Sequence, residues 1–544
     1  MIISRSSPPD RFDAVIIGGG HNGLTCACYL AKSGLSVGVF ERRSILGGAA
    51  VTEEFHPGFR NSTASYTVSL LNPKIIQDLR LAEYGLQIIE RPMQNFLPLP
   101  DGRALTAGPA LADTLASVRQ FSARDAERLP HYFKRLEAIV AILREQLLQT
   151  PPVSTRRLRD LWSTLQLGRQ FRALSAEQQR DVHEFFTRSA GELLDSWFET
   201  DALKALYGFD AIVGNYASPY TPGTGYVLLH HVFGEVNGKT GVWGHAMGGM
   251  GSITQAMARA AEALGVHLEL DTPVKTILID RGRARGIELD DGRTIAARAV
   301  AANVGPKILF LKLLPTAALP PEFRARIERF RMGSATFRMN VALSELPRFT
   351  AAPSDGSDTH LGAGIIMAPS LEYLDRAHAH ARLEGYSREP VIEMLIPSTL
   401  DTTLAPPGAH VASLFCQHFA PQLPAGRSWH EERDAAASRI LDTVDRYAPN
   451  FRASVLGQSA LSPLDLEEKF ALTGGDIFHG ALSLDQLWAA RPVLGYGDYR
   501  TPVQALYLCG AGAHPGGGVT GIPGHNAARE ILRDSQRNSV RGSP

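Results

Sequence analysis

The segment DAVIIGGGHNGLTCACYLAKSGLSVGVFE, Asp13 to Glu41, leaves its chain few ways to fold. An apolar run from Ala14 to Ile17 meets a glycine turn, a helical stretch follows, Gly34 stops it, and a second apolar run ends on Glu41. That is the layout of a strand–helix–strand unit, which commits the protein to an α/β sheet with helices on its faces. Gly18, Gly20 and Gly23 fill the G-x-G-x-x-G slots. They serve the tight turn, the close approach of a pyrophosphate, and the packing of helix on strand. Glu41 lies eighteen residues past Gly23, where a carboxylate accepts hydrogen bonds from a ribose hydroxyl. Strand, helix, stop and acid in register point to a dinucleotide.

A second glycine pair, Gly47-Gly48, follows with Ala49 and lets backbone pass the same ligand again. This arrangement resembles FAD enzymes more than nicotinamide dehydrogenases. Arg42 and Arg43 keep an NADP 2′-phosphate open as the alternative, with Glu41 an unfavourable neighbour for it. A matching half-cradle stands near the other end. YLCGAGAHPGGGVTGIPGHNAA, Tyr507 to Ala528, sets Gly510 to Gly521 between an apolar strand and a helix opening at Ile522. GGGVTG, Gly516 to Gly521, also satisfies the G-x-G-x-x-G expression, but His514-Pro515 precede it in place of a strand and no second acidic strand end follows. It is no independent nucleotide site.

Lys+Arg and Asp+Glu both total 55, so no global field recruits nucleic acid or an anionic membrane. At 544 residues two domains are the default. The four cysteines, Cys26, Cys28, Cys416 and Cys509, form no C-x-x-C pair and no zinc spacing, and read as reduced core residues. The start of the chain has no signal-peptide h-region, and no uncharged apolar run reaches the roughly 20 residues of a spanning helix. A cytoplasmic protein is expected, with peripheral membrane contact left open.

From about Leu111 to Leu229 apolar residues recur at three and four spacing, predicting a helical layer that ends one helix at Pro151-Pro152. Core packing is its plain reading; a greasy substrate chamber or a membrane-facing lid is the sharper one. Leu158 to Phe171, with Arg157, Arg159 and Arg169 around Leu161, Trp162, Leu165 and Leu167, is the candidate interfacial helix. After GHAMGGMGSI the chain alternates like a short strand and a three-stranded meander, then returns toward the first domain. Lys307 to Asp465 reads as mixed, with strands near 335–343 and 409–419.

With these residues in place, the chain resembles the phytoene desaturase-like flavoproteins, most closely the branch named for a pyridine nucleotide-disulfide oxidoreductase domain. The resemblance rests on GGGHNGLTCACYLAKSGLSVGVFERRSILGGAA, FHPGFRNSTASYTVSLLNPKI, GHAMGGMGSI and the stretch from GGDIFHG to AAREIL, in the family's order. Without a C-x-x-C, disulfide reduction finds no support. The resemblance implies a Rossmann-like FAD-binding domain of glutathione reductase or amine oxidase type, over 1–75, 231–306 and 466–544. A mixed α+β substrate domain carrying the helical insert is interleaved with it, over 76–230 and 307–465. It places bound FAD with its adenine end at Glu41, Arg42 and Gly18 to Gly23, and backbone near Val274 at the adenine. Pyrophosphate falls near Gly47, Gly48 and Ala49, and the ring near Gly510, Ala511, Gly521 and Ile522. The helix opening at Ile522 is expected to turn its positive end to the ring.

The implied chemistry is hydride transfer from a C–H bond of a lipophilic substrate, with oxygen or a quinone as electron acceptor. A neighbouring proton then needs a base. His514 and His245, both on glycine-rich turns, are the candidates, against a plain role of bonding backbone. Tyr66, in STASY, and Asn526 are weaker site candidates, with packing or capping as their plainer role. Two further functions stay open, a flavin-dependent isomerase without net redox change and a flavoprotein that serves as an interaction surface. Substrate identity and oligomeric state are not read from the sequence.

Overall fold

The computed structural model describes residues 10–153, 158–353 and 356–541. In its first sheet, parallel strands run in the order His267–Glu269, Val37–Phe40, Arg11–Ile17, Thr294–Ala302, Leu506–Leu508. Val15, Ile16, Val39, Val300 and Ala302 are fully buried, as the near-continuous apolar runs of a two-sided parallel sheet require. The register has one consequence for function. Ile17 pairs with both Phe40 and Ala302, and Ala302 pairs with Leu508, so four strands end level. Gly18, Glu41, Asn303 and Cys509 therefore leave the sheet along one edge, the carboxyl edge where open α/β sheets hold ligands. The strand Thr294–Ala302 also carries the antiparallel meander of Val274–Asp280 and Arg283–Leu289.

Behind the first glycine turn, the helix His21–Lys32 buries Leu24, Cys26, Ala27, Cys28 and Leu30 and ends at Gly34, whose φ of +83° is the left-handed stop glycine tolerates best. It packs against the final helix Ile522–Arg541 so closely that a Cβ on Gly524 would stand 2.0 Å from the Asn22 carbonyl oxygen.

The second sheet has the order Val455–Leu461, Thr336–Leu343, His410–Phe419, Tyr386–Leu395, Gly364–Met367, Asn95–Pro98, Ala104–Ala107. Side chains alternate across it. Phe337, Met339, Ile392, Met394 and Leu414 pack beneath the helix Trp429–Asp445, while Arg338, Phe415 and Glu393, aligned across three strands, point the other way. Over that second face lie the helices between Leu111 and Val232, several started by serine caps such as Ser122, Ser175 and Ser189.

Leu79, Leu81 and Leu86, and again Leu309, Phe310, Phe323 and Ile327, pack in the core of the first sheet. The chain thus crosses between the layers from Glu90 to Asn95 and from Ile327 to Thr336, not at the expected 76 and 307. Amphipathic periodicity shows that a helix has a buried face, but not which core receives it. Arg157 of the expected interfacial helix lies outside the described residues. In the helix Leu158–Ala173, Leu161, Trp162, Leu165 and Phe171 are exposed, Trp162 at 64%. Among the described residues no helix is long and apolar enough to cross a membrane.

Candidate active site

At the carboxyl edge of the first sheet, Gly18 takes φ +95° and its amide donates to Phe40 O at 2.9 Å. Gly23 meets it from the first helical turn, where a Cβ would sit 2.2 Å from Gly18 O. Gly47, at φ +135°, bridges to Gly20 and donates to Gly19 O at 2.9 Å, so the two glycine stretches lie against each other. Buried Glu41 binds the same turn: Oε2 accepts from the Gly19 amide at 2.8 Å and Oε1 from the Arg43 amide at 3.0 Å. The Thr272 amide donates to Glu41 O at 2.9 Å, which brings Pro273 and Val274 beside the acid. Both arginines hold partners, although Nη1 of Arg43 has none among the described residues. Arg42 turns away and donates to the Glu468 and Lys469 carbonyls, correcting its expected place at the cofactor, and Arg43 pairs with Glu53 at 2.8 Å. An adjacent carboxylate and two helix-end carbonyls draw the guanidinia off.

The carboxy-terminal half closes on this cradle. Cys509 donates to Ala302 O at 2.9 Å, and a Cβ on Gly510 would stand 3.1 Å from Asn303 Oδ1. His21 and Ala49 from the first half, and Ala511, Gly517, Gly518 and Val519 from the second, line one cavity. Gly521 and Ile522 do not reach it. The Ile522 amide is taken by Thr520 Oγ1 at 3.1 Å, so the preceding glycines, not the helix start, form the wall. Two buried nitrogens, Nε2 of His21 and Nδ1 of His479, lack a hydrogen-bond partner among the described residues. Burial, then the neighbouring His479, lowers His21 to about 3; burial, then Arg491, lowers His479 to about 4. Both rings are neutral, each holding a donor or acceptor ready for a polar ligand. Orphaned polar atoms, a glycine cradle and a carboxylate at the strand end together fit FAD.

A buried carboxylate and a buried guanidinium, each bonded to backbone, shape the wall opposite. Asp476 accepts from the amides of Gly333, Phe478 and Gly480 at 2.8, 2.8 and 3.0 Å. Arg491 donates to Phe478 O at 2.6 Å, Ala511 O at 2.9 Å and Gln486 O at 3.2 Å. The loop bearing Phe478 and His479 is thereby tied to Ala511 of the cradle.

The far end of the cavity is polar. Tyr66 donates to Glu393 Oε2 at 2.5 Å, stacks on Phe415, and lies under the Arg338 guanidinium at 4.6 Å. Arg91 faces Glu393 at 3.8 Å and donates to Thr67 Oγ1 at 2.6 Å. Burial lowers Arg338 to about 10 and, with the Glu393 charge, lifts the Tyr66 phenol far above its usual value. Asp210, the last residue of the helix Asp201–Asp210, completes this end, raised to about 8 by burial and then by Glu393. Leu70, Phe209, Val213, Trp243, Ile477 and Phe478 line the wall between, together with the polar Ser65, Thr67, Ser69, Asn95 and His231.

The two expected bases are elsewhere. His245 Nε2 lies 3.0 Å from Asp401 Oδ2, and His514 Nε2 lies 3.2 Å from Gln146 O with its ring edge-on to Trp488. Neither lines the cavity, and burial lowers His514 to about 4. Asn526 caps, donating to Leu147 O and Tyr499 Oη. Sequence reasoning missed Asp210, Glu393, Arg338 and Arg491. Their signal was present, since each of the first three is a charge inside an otherwise apolar stretch: YGFDAIVG, PVIEMLI and ATFRMNVAL.

Comparison with known proteins agrees with this geometry. The family model described as flavin containing amine oxidoreductase matches residues 23–337. The mouse pyridine nucleotide-disulfide oxidoreductase domain-containing protein 2 is 42% identical over 96% of this chain and 94% of its own. A lycopene-forming phytoene desaturase of Pseudescherichia vulneris is 26% identical over 93% and 96%. Among solved structures, cyclohexylamine oxidase from Brevibacterium oxydans superposes with a TM-score of 0.59 at 15% identity, covering 97% of this chain and all of that one, which shows the shared fold.

Proposed function

Since this chain belongs to the flavin-containing amine oxidoreductase family and uses FAD, we propose that it oxidises a lipophilic molecule at a C–H bond and passes the electrons to oxygen or a quinone. The observation that carries the reading is one cavity that joins residues flanking the glycine cradle, His21, Ala49, Ala511 and Gly517, to the apolar Leu70, Phe209 and Phe478 and the polar Tyr66, Asp210 and Glu393. When bound, FAD supplies a two-electron acceptor that takes hydride at N5. Gly18 to Gly23 and Gly47-Gly48 would hold its phosphates, Glu41 its ribose, and Ala511 with Gly517 to Val519 the ring end. The apolar wall excludes water and orients the carbon skeleton. The name of the phytoene desaturase relative supports a lipophilic substrate.

The test is an anaerobic visible titration of the holoprotein with fractionated lipid and metabolite extracts of its source. Bleaching of the oxidised flavin band by one fraction, reversed by air or a quinone, is the expected result. Bound FAD that no fraction bleaches would sink the redox reading.

The exposed Leu161, Trp162 and Leu165 belong to this reading as a membrane-contacting face through which a lipophilic substrate enters. Replacing Trp162 and Leu165 by serine is expected to lower co-sedimentation with phosphatidylcholine vesicles several-fold while leaving FAD content unchanged. Equal co-sedimentation removes the membrane from the proposal.

A further inference from the structure

Among the titratable groups of the cavity, Asp210 stands apart. Glu393 is held by Tyr66 and faces Arg91, His231 Nδ1 is bonded to Val227 O at 2.8 Å, and His21 and His479 lie against the cradle. The Asp210 carboxyl lines the substrate side and has no hydrogen-bond or ion-pair partner among the described residues. It faces Glu393 from the second sheet, Tyr132 and Tyr207 from the helical layer, and the Arg91 and Arg338 cations beyond Glu393.

Resting on the redox reading above, we propose that Asp210 is the catalytic base, taking a proton from the substrate as hydride leaves the neighbouring position for the flavin. The substrate C–H bond breaks with its electron pair, which passes with the hydrogen to FAD. An adjacent X–H bond, with X carbon, oxygen or nitrogen, gives its proton to a carboxylate oxygen of Asp210, and its electron pair becomes the new double bond. Bound FAD would supply the two-electron acceptor, with oxygen or a quinone taking the electrons on, and Asp210 releases its proton to solvent. The substrate class follows: a lipophilic molecule carrying a removable proton beside the oxidised carbon, seated with that end at Asp210 and its skeleton along Phe209 and Val213.

The neutral histidines of the cavity, at about 3 to 4, are too weakly basic for this role, whereas a carboxyl at about 8 is matched to proton removal near neutrality. Burial raises Asp210 most, and Glu393 adds to the rise by repelling a second negative charge. A rate that depends on ionised Asp210 therefore rises with pH through about 8.

The experiment uses holoprotein in three forms: unaltered, Asp210→Asn and Glu393→Gln. Infrared titration is expected to show a protonated-carboxyl band that disappears near pH 8 and is absent from Asp210→Asn. Anaerobic bleaching by the extract fraction that reduces the unaltered flavin is expected to slow 10²- to 10⁴-fold in Asp210→Asn with FAD retained. In Glu393→Gln the rising limb moves to acid, because the repelling charge is gone and only burial still raises Asp210. Bleaching of Asp210→Asn at the unaltered rate overturns the inference and leaves the redox reading standing. Failure of every fraction to bleach the unaltered protein overturns both. Should Asp210→Asn not hold FAD, Glu393→Gln decides: an unmoved limb overturns the assignment.

Discussion

Gly23→Ala is expected to yield a folded protein that carries less than a tenth of the normal FAD. Propensity argues the other way, since alanine in a helix is favoured over glycine by about 1 kcal/mol. Sterics decide. A Cβ at position 23 would stand 2.2 Å from Gly18 O and 2.9 Å from Asn303 Nδ2, and the oxygen belongs to backbone that cannot rotate away. The helix must retreat from the turn by more than an ångström, and the amide array at its start, which the pyrophosphate needs at hydrogen-bond distance, retreats with it. Gly34→Ala is the control. Gly34 has φ +83° with nothing within 4 Å of its Cβ position, so alanine there costs about 1–2 kcal/mol of backbone strain and leaves flavin content intact. Absorbance of flavin released by denaturation, relative to protein, reads both variants. Full flavin in Gly23→Ala would remove the close-packing argument for the cradle.

The amino-terminal half of that cradle was legible because its information is local. Strand, turn, helix, stop and acid lie within Asp13 to Glu41, and each glycine has a geometric reason to be where it is. FAD and the overall fold followed from the same residues with the carboxy-terminal glycines. That His245 and His514 lie off the cavity was not legible, because what holds them is long-range: their partners, Asp401 and Gln146, lie 156 and 368 residues away. Tyr66 likewise meets Glu393 across 327 residues. A glycine-rich neighbourhood says that backbone comes close to something, without saying which side chain faces the ligand. The better signal for the substrate end was the lone charge in an apolar run. In a strand that alternates between two covered faces, Glu393 and Arg338 have no solvent to reach and so must meet a partner or a cavity. The domain boundaries failed for a similar reason, since Leu309 to Ile327 reads as an amphipathic pair of helices whichever core it covers.

Arg491→Met is expected to destabilise the protein by about 3–5 kcal/mol and to release FAD, although Arg491 lies outside the cavity lining. Its guanidinium is fully buried and donates to carbonyls of Phe478, Gly480, Gln486 and Ala511. Methionine keeps the volume, leaves those oxygens without their donor and removes a nearby positive charge from the buried Asp476 carboxylate. The loss has a pH signature. Burial already raises Asp476 above the usual carboxylate range, opposed by three backbone amides and by Arg491. Without the cation it rises further. A carboxyl whose folded pKa exceeds its unfolded value favours the native state at low pH, and that contribution is lost as pH rises through the folded pKa. The deficit of Arg491→Met relative to the unaltered protein should therefore shrink on going from pH 7.5 to about 5.5, and Asp476→Asn in the same chain should remove most of the pH dependence. Urea unfolding at the two pH values measures it. A deficit below about 1 kcal/mol would mean that water enters and solvates Asp476; a deficit that ignores pH would mean that the lost carbonyl bonds, and not the stranded charge, carry the effect.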